Sequence, residues 1–276
     1  MIDNIGVVGN GFVGSAVAFG FSSKTGCDAK IKIYDKDKSK SSHELSDVIN
    51  ESDFIFVSVP TPANEDGSVH TGIVEDVFNE MNALNSREDN VFLLRSTVTP
   101  GTTRKVQAAC PKLSIVFNPE FLTEKSAKFD FINQSRFILG GREKKLDYHT
   151  GKVANLFRRR FGESVPVIRT DYETAEFTKY MNNCYFATKI SFLNEMNQIA
   201  TECGVDWDMA VDGFARDGRV GHSHLSVPGP DGEYGFGGSC FPKDMQAMIS
   251  FAKTLEVDPS VLEGAWSKNL NVRNSK

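Results

Sequence analysis

Six short β-favouring runs recur through the first half of this chain, at 2–8, 31–35, 54–59, 91–95, 114–117 and 137–139. Between them lie segments with helical periodicity, at 12–23, 73–84, 103–110 and 143–161. Several of the runs are apolar at nearly every position, where a strand with one wet face would alternate. Strands covered on both faces and separated by helices predict an α/β chain built on a doubly wound, mostly parallel sheet. At 276 residues the chain is long enough for about two domains and a substantial core.

The first strand-to-helix junction carries Gly9-Asn10-Gly11-Phe12-Val13-Gly14. In a Rossmann-like unit the first glycine permits the tight turn and the second lets backbone approach a pyrophosphate. The third lets helix and strand pack closely. The next strand ends in Asp35, an acid placed to bond ribose hydroxyls and to repel a 2′-phosphate, so NAD is expected over NADP. Lys36 and Lys38 pull the other way, since they could attract that phosphate. Ligands in such sheets sit beyond the carboxyl ends of the strands. Two further strand ends therefore join the candidate crevice, with Pro60 and Thr61 on one and Thr97 on the other. Taken singly, each is also an ordinary turn with a helix cap.

Near residue 170 the pattern changes. Thr170-Asp171-Tyr172-Glu173 reads as a capping box, and the helical stretch behind it meets no proline or glycine before Gly204. That helix is apolar on more than one face, through residues such as Tyr180, Met181, Tyr185, Phe192, Met196 and Ile199. It is expected to be buried in its own domain or against a second subunit. Helices follow at 206–214, 244–255 and 259–272, and the glycine-rich segment 218–238 reads as a functional loop. The division predicted is a dinucleotide-binding domain over 1–170 and an all-helical domain over 171–276.

Three clusters could carry chemistry. Gly235-Phe236-Gly237-Gly238-Ser239-Cys240-Phe241-Pro242-Lys243-Asp244 delivers a cysteine to a predicted helix start, where backbone N–H groups favour a thiolate. Asp244 would lie one turn further along the same face. Glu120 and Glu124 are four apart beyond a strand, and Lys179 and Asn183 are four apart on the long helix. The first has a plainer reading as a buried cysteine after a flexible turn, and the last as a solvated lysine with an unremarkable asparagine. His222 and His224 lack further ligands, so no metal site is expected.

Composition narrows the classes. A net charge of −5 supplies no basic field for nucleic acid or an anionic membrane surface. No apolar run is long enough to span a bilayer. The opening residues carry no basic region and lead into a strand, which argues against a signal peptide. Five scattered cysteines suit a reducing compartment, and a cytoplasmic location is expected.

Taken together, the segments at 9–14, 59–62, 96–101, 118–122, 179–195 and 235–244 resemble the nucleotide-sugar 6-dehydrogenases of the UDP-glucose/GDP-mannose dehydrogenase family, in order and approximate spacing. The resemblance implies a four-electron oxidation with two NAD⁺, taking UDP-glucose to UDP-glucuronate. Cys240 would form a thiohemiacetal and then a thioester that water hydrolyses. Lys179 and Asn183 would stabilise oxyanion character, Asp244 would assist proton transfer through a water, and Glu120 would be the base for hydrolysis. Thr97 and Glu124 would hold water and cofactor. Phe121, Leu122, Phe236, Gly237 and Arg219 would contact the sugar nucleotide, Arg219 across a homodimer built on the long helix.

The resemblance also shows departures. Family members continue past this point into a second α/β domain that grips the nucleotide, and 266–271 resembles the start of the helix leading there. A truncated portion, a naturally short form, and one half of a split enzyme with a separate partner all fit. The stretch 228–233 is longer than the family loop. Rival readings are a GDP-mannose or UDP-N-acetylmannosamine dehydrogenase, a β-hydroxyacid dehydrogenase without need of the cysteine, and a non-catalytic NAD-binding subunit.

Overall fold

The computed structural model describes residues 3–143 and 147–273. Ile2, within the expected first strand, and residues 144–146, within the helix expected over 143–161, lie outside the described residues. The chain divides into two compact units. One holds the residues up to Pro62 together with His70–Lys179; the other holds Ala63–Val69 together with the chain from Tyr180 onward.

Among the described residues, the first unit is built on seven strands: β1 (Asn4–Val8), β2 (Lys30–Tyr34), β3 (Phe54–Val57), β4 (Val91–Leu94), β5 (Ile115–Phe117), β6 (Phe137–Gly141) and β7 (Val167–Asp171). Their order is β2-β1-β3-β4-β5-β6-β7. The first five are parallel, β6 runs antiparallel to β5, and β7 is parallel to β6. The doubly wound, mostly parallel sheet is therefore as the alternation predicts. Helices α1 (Phe12–Gly20), α2 (Leu45–Asn50), α3 (Gly72–Leu84), α4 (Thr102–Ala109), α5 (Ala127–Ile132) and α6 (Tyr148–Phe161) complete the unit with the first turns of α7 (Tyr172–Glu202).

The pleat explains why the strands are apolar throughout. Ile55, Val57, Phe92 and Leu94 point into one core layer; Phe54, Phe56, Val91 and Leu93 point into the other. Successive side chains serve opposite faces, and helices cover both.

Several boundaries differ from expectation. The strand β7 is missing from the sequence reading because it is an edge strand with little apolar content. Its Arg169 instead ties the sheet to α6, bonding Thr150 Oγ1 at 2.9 Å and the Asp147 carbonyl at 2.5 Å. The capping box is displaced by one residue. Asp171, not Thr170, caps α7, with its carboxylate accepting from the Thr174 N–H at 2.7 Å. The six-residue helices α2 and α5 are too short to show a period. Helix α6 begins at Tyr148, where Asp147 caps it by accepting from the Thr150 N–H at 2.9 Å.

A buried carboxylate fixes the start of α7 to α4. Glu176, fully buried, accepts from the Gly101 N–H at 2.6 Å and from the Thr103 N–H and hydroxyl at 2.7 and 2.6 Å. Burial pushes its carboxyl up to about 7, against the pull of those donors. A folded value raised above the unfolded one means the linked stability is complete below about pH 4.5 and is lost as pH rises through about 7. The difference in unfolding free energy between the wild type and Glu176→Gln, followed from pH 4 to 8, should shrink along that window. A difference independent of pH would refute the assignment.

Among its described residues, the second unit has helices as its regular elements, with one isolated bridge, Ala63 to Val69. It comprises the rest of α7, then α8 (Trp207–Ala215), α9 (Phe241–Thr254) and α10 (Ser260–Arg273). Gly204, with φ +68°, ends α7 as expected. Tyr180, Cys184, Ala187, Phe236, Met245, Met248 and Ala265 form its core. The segment between α8 and α9 contains no helix or strand. Among the described residues no helix is long and apolar enough to cross a membrane.

Candidate active site

The glycine motif closes the junction between β1 and α1. Gly9 has φ +88°, and a Cβ there would sit 2.2 Å from the Ser58 carbonyl oxygen, so the turn requires glycine. A Cβ on Gly14 would lie 1.9 Å from the Gly9 oxygen and 3.1 Å from Val7, which is the close helix–strand packing expected of the third glycine. Gly11, at the N-cap of α1, is exposed, and a Cβ there would meet no atom within 4 Å. Its smallness serves nothing inside the protein. It leaves an open approach to the N-terminus of α1, which suits a pyrophosphate. Asp35, just past β2, is engaged by the same turn: it accepts from the Asn10 N–H at 2.6 Å and from the Asp37 N–H at 2.8 Å. Phe12 and Val13 are half-buried against the core, while Lys36 is exposed.

These contrasts give a test. Gly14→Ala should destabilise the protein by about 1–3 kcal/mol through overpacking. Gly11→Ala should stay within about 1 kcal/mol of wild type, since only the N-cap preference changes. It should nonetheless weaken NAD binding by tenfold or more in calorimetric titration. Unchanged affinity in Gly11→Ala would remove this turn from the cofactor site.

Beyond the strand ends of the first unit, Glu120 and Lys179 form a buried ion pair at 3.0 Å, 5% and 3% exposed respectively. Glu120 also accepts from the Leu122 N–H at 2.7 Å. Burial alone would raise the Glu120 carboxyl. The Lys179 charge, the Leu122 N–H and the Arg95 charge outweigh it and hold the group below the usual carboxylate range. Phe121 lies beneath the Lys179 ammonium, 5.4 Å from ring centre, and beneath the Arg136 guanidinium at 4.4 Å. The Leu122 side chain is packed in the core, and its backbone N–H faces Glu120.

The sequence reading overlooks Arg95. It is 1% exposed, bonds the Asn118 side-chain oxygen, and stacks its guanidinium over Phe56 and Phe131. Burial pulls its pKa down to about 10. The available signal was a cation ending an otherwise apolar strand.

In the second unit, Cys240 is the N-cap of α9, and the Asp244 N–H donates to its carbonyl at 2.9 Å. The helix start predicted from Pro242 is thus in place. Asp244, 1% exposed, accepts from the Asn183 amide at 2.6 Å and from the Lys243 ammonium at 2.7 Å. Cys240 is half-buried, with the Ser239 hydroxyl 3.7 Å from its sulfur. By contrast, burial pushes the Cys184 thiol up to about 12, helped by the Asp244 charge. All five cysteines remain thiols.

Asn183 and Lys179 are one turn apart on α7 as predicted, yet in this state each donates to a carboxylate of its own, Asp244 and Glu120. Thr61 is buried and Pro60 exposed at the end of β3; Thr97 is half-buried beyond β4. Glu124 is exposed, in a single 3₁₀ turn, and does not share the burial of Glu120. Arg219 is exposed and forked onto Asp217 at 2.5 and 2.9 Å. Phe236 is 2% exposed and packs against Phe241 and Trp266.

Residues 31–159 match the NAD-binding domain of the UDP-glucose/GDP-mannose dehydrogenase family, and residues 173–271 match its central domain. UDP-glucose 6-dehydrogenase YwqF of Bacillus subtilis is 32% identical over 228 residues, covering 80% of this chain and 49% of its own length. The structure of a UDP-glucose dehydrogenase from Pyrobaculum islandicum superposes with a TM-score of 0.81 at 25% identity, over 98% of this chain and 68% of that one. The GDP-mannose dehydrogenase of Pseudomonas aeruginosa superposes with a TM-score of 0.70 at 26% identity, over 97% and 68%. The chain spans about half the length of YwqF and about two thirds of these two solved chains. With two domains of one family matched in order, this chain belongs to the UDP-glucose/GDP-mannose dehydrogenases, an NAD-dependent oxidoreductase family.

Proposed function

We propose that this chain carries the catalytic residues for the four-electron oxidation of a nucleotide sugar at C6, UDP-glucose to UDP-glucuronate, by way of a Cys240 thioester. The observation that carries the reading is Cys240 at the N-cap of α9, one turn before a buried Asp244 that is bonded to Asn183. NAD, when bound, supplies the hydride acceptor for both oxidation steps.

The residues act as follows. Asn183 donates toward oxygen that becomes negative as a carbonyl carbon is attacked, and the Lys179 ammonium stabilises the same charge. Asp244 relays a proton through water when the C6 hydroxyl is oxidised to the aldehyde. The Cys240 sulfur then bonds to the aldehyde carbon, giving a thiohemiacetal. Loss of hydride and a proton from that adduct gives the thioester, and water cleaves it to the carboxylate while returning the thiol. Glu120 takes the proton of that water. While Lys179 is paired with it, Glu120 is a weak base, so the step needs the pair loosened. Thr97 and Glu124 hold water and cofactor, Asp35 takes the ribose, and Phe121, Gly237 and Arg219 contact the substrate. Division into a dinucleotide-binding domain over 1–170 and a helical domain over 171–276 belongs to the same reading.

A homodimer built on α7 is supported by a stripe of exposed apolar residues, Phe177, Met181, Tyr185, Phe192, Met196 and Ile199. Spacings of three, four and seven place them along one side of the helix. A GDP-mannose specificity is the second reading, supported by 26% identity to the Pseudomonas enzyme.

The first experiment is NADH production by the purified chain with NAD⁺ and UDP-glucose, GDP-mannose or UDP-N-acetylmannosamine in turn, counting NADH per sugar consumed. Two NADH per UDP-glucose, with the other two sugars inert, is the expected result. Turnover only with another sugar would reassign the substrate. Binding of NAD with no turnover would favour a subunit that acts with a separate partner.

A further inference from the structure

Just before Cys240, the backbone is gripped by three polar side chains that the proposed chemistry does not use. Asn269, 2% exposed on α10, accepts from the Phe236 N–H at 2.6 Å and donates its amide to the Phe236 carbonyl at 3.1 Å. The Arg273 Nε donates to that same carbonyl at 2.8 Å, and its Nη2 reaches Asp231 at 2.7 Å. Asn194, 2% exposed on α7, accepts from the Gly235 N–H at 2.9 Å, while its own amide donates to the Ile190 carbonyl at 2.8 Å.

The geometry points to Asn269, Arg273 and Asn194 as positioning residues for the nucleophile: they clamp residues 235–236 so that the following turn sets Cys240 at the N-terminus of α9. The inference rests on the reading of Cys240 as the nucleophile. Three features carry it. First, both backbone polar groups of Phe236 are taken, and its ring is locked against Phe241 and Trp266. A planar amide bonded to the N–H and C=O of one residue holds the two peptide groups that flank its Cα, in orientation as well as place.

Second, the glycines fit the clamp. A Cβ on Gly235 would lie 2.3 Å from Asn269 Oδ1, and one on Gly237 would lie 2.2 Å from Arg273 Nη2. The first of these glycines also has φ +71°. Third, Asn194 follows Asn183 by eleven residues, close to three turns, so one face of α7 grips both ends of the segment: Gly235 through Asn194, and Asp244 through Asn183. Cys240 lies between two anchored points, and its sulfur is held by backbone geometry set from three helices. Preorganisation of this kind is what a reactive group requires of the shell around it.

The test uses thiol chemistry on the full chain. Iodoacetamide alkylation of Cys240 and Cys203 is followed by peptide mass spectrometry at neutral pH, well below the melting temperature. Exposed Cys203 is the internal reference. In wild type, Cys240 is expected to react about tenfold faster than Cys203. Asn269→Ala should lower that ratio at least fivefold, Arg273→Met about twofold, and Asn269→Asp, which keeps the acceptor for the Phe236 N–H, should restore most of it. A merely structural role would lower the melting temperature and leave the ratio unchanged. Should Asn269→Ala fail to fold, Arg273→Met and an Asn194→Ala variant decide the matter, since each removes a single grip. An unchanged ratio in the folded variants overturns the clamp while the nucleophile reading stands. A wild-type ratio near one overturns both.

Discussion

Replacing Cys240 with serine is expected to lower sugar-acid formation by about a thousandfold or more, the usual scale when a covalent nucleophile is removed. The expectation is specific because the two halves of the reaction depend on different groups. Oxidation of the C6 hydroxyl needs a proton acceptor and a hydride acceptor, and neither is the thiol. In the proposed mechanism, oxidation of the aldehyde needs a tetrahedral adduct that can lose hydride, and the Cys240 sulfur would form it. A serine hydroxyl occupies the same N-cap but is far less ionised at neutral pH. The variant should therefore release at most about one NADH per active site in a rapid-mixing experiment and then stall. Continued production of two NADH per sugar would show that the aldehyde is oxidised without Cys240, as a β-hydroxyacid dehydrogenase architecture would allow.

The second large effect concerns stability. Lys179→Met should destabilise the protein by about 3–5 kcal/mol at pH 8, because Glu120 would be left charged, buried and without its closest cation. The pH dependence should change sign as well. In wild type the Glu120 carboxyl is held below its ordinary 4.5, so its contribution is present above that pH and is lost as pH falls through the lower folded value. Without Lys179, burial dominates and the group binds a proton more readily when folded, so acidification should stabilise the variant relative to its state at pH 8. Urea midpoints between about pH 2 and 8 would reveal both trends. The double variant Lys179→Met, Glu120→Gln should recover most of the loss, since no uncompensated charge remains. A single variant within about 1 kcal/mol of wild type at pH 8 would mean that water or Arg95 already neutralises Glu120.

Much of this protein is legible one residue at a time. The parallel sheet follows from strands with no polar face, because a strand covered on both sides cannot alternate, and Phe54–Val57 and Val91–Leu94 show that run without interruption. Gly9, Gly11 and Gly14 announce a dinucleotide turn because backbone conformation and Cβ clearance are properties of the residue type itself. Pro242 and the glycines before it mark where α9 begins, and Gly204 marks where α7 ends. What escaped depends on partners distant in sequence. The edge strand β7 has no periodicity of its own and is defined by pairing with β6. Arg95 and Glu176 look like surface charges until the fold buries them against Asn118 and Thr103.

Sequence alone thus determined most of the elements, their alternation and the candidates for chemistry, since these follow from local propensity, spacing and side-chain chemistry. Tertiary structure alone decided how those groups are paired. Lys179 and Asn183 are adjacent on one helix, yet one answers to Glu120 and the other to Asp244. Phe236 is 2% exposed, and its backbone is bonded to Asn269, 33 residues further on. Hydrogen-bond partnership and burial are set by which elements meet, and that information is spread over contacts tens of residues apart rather than carried in any one segment.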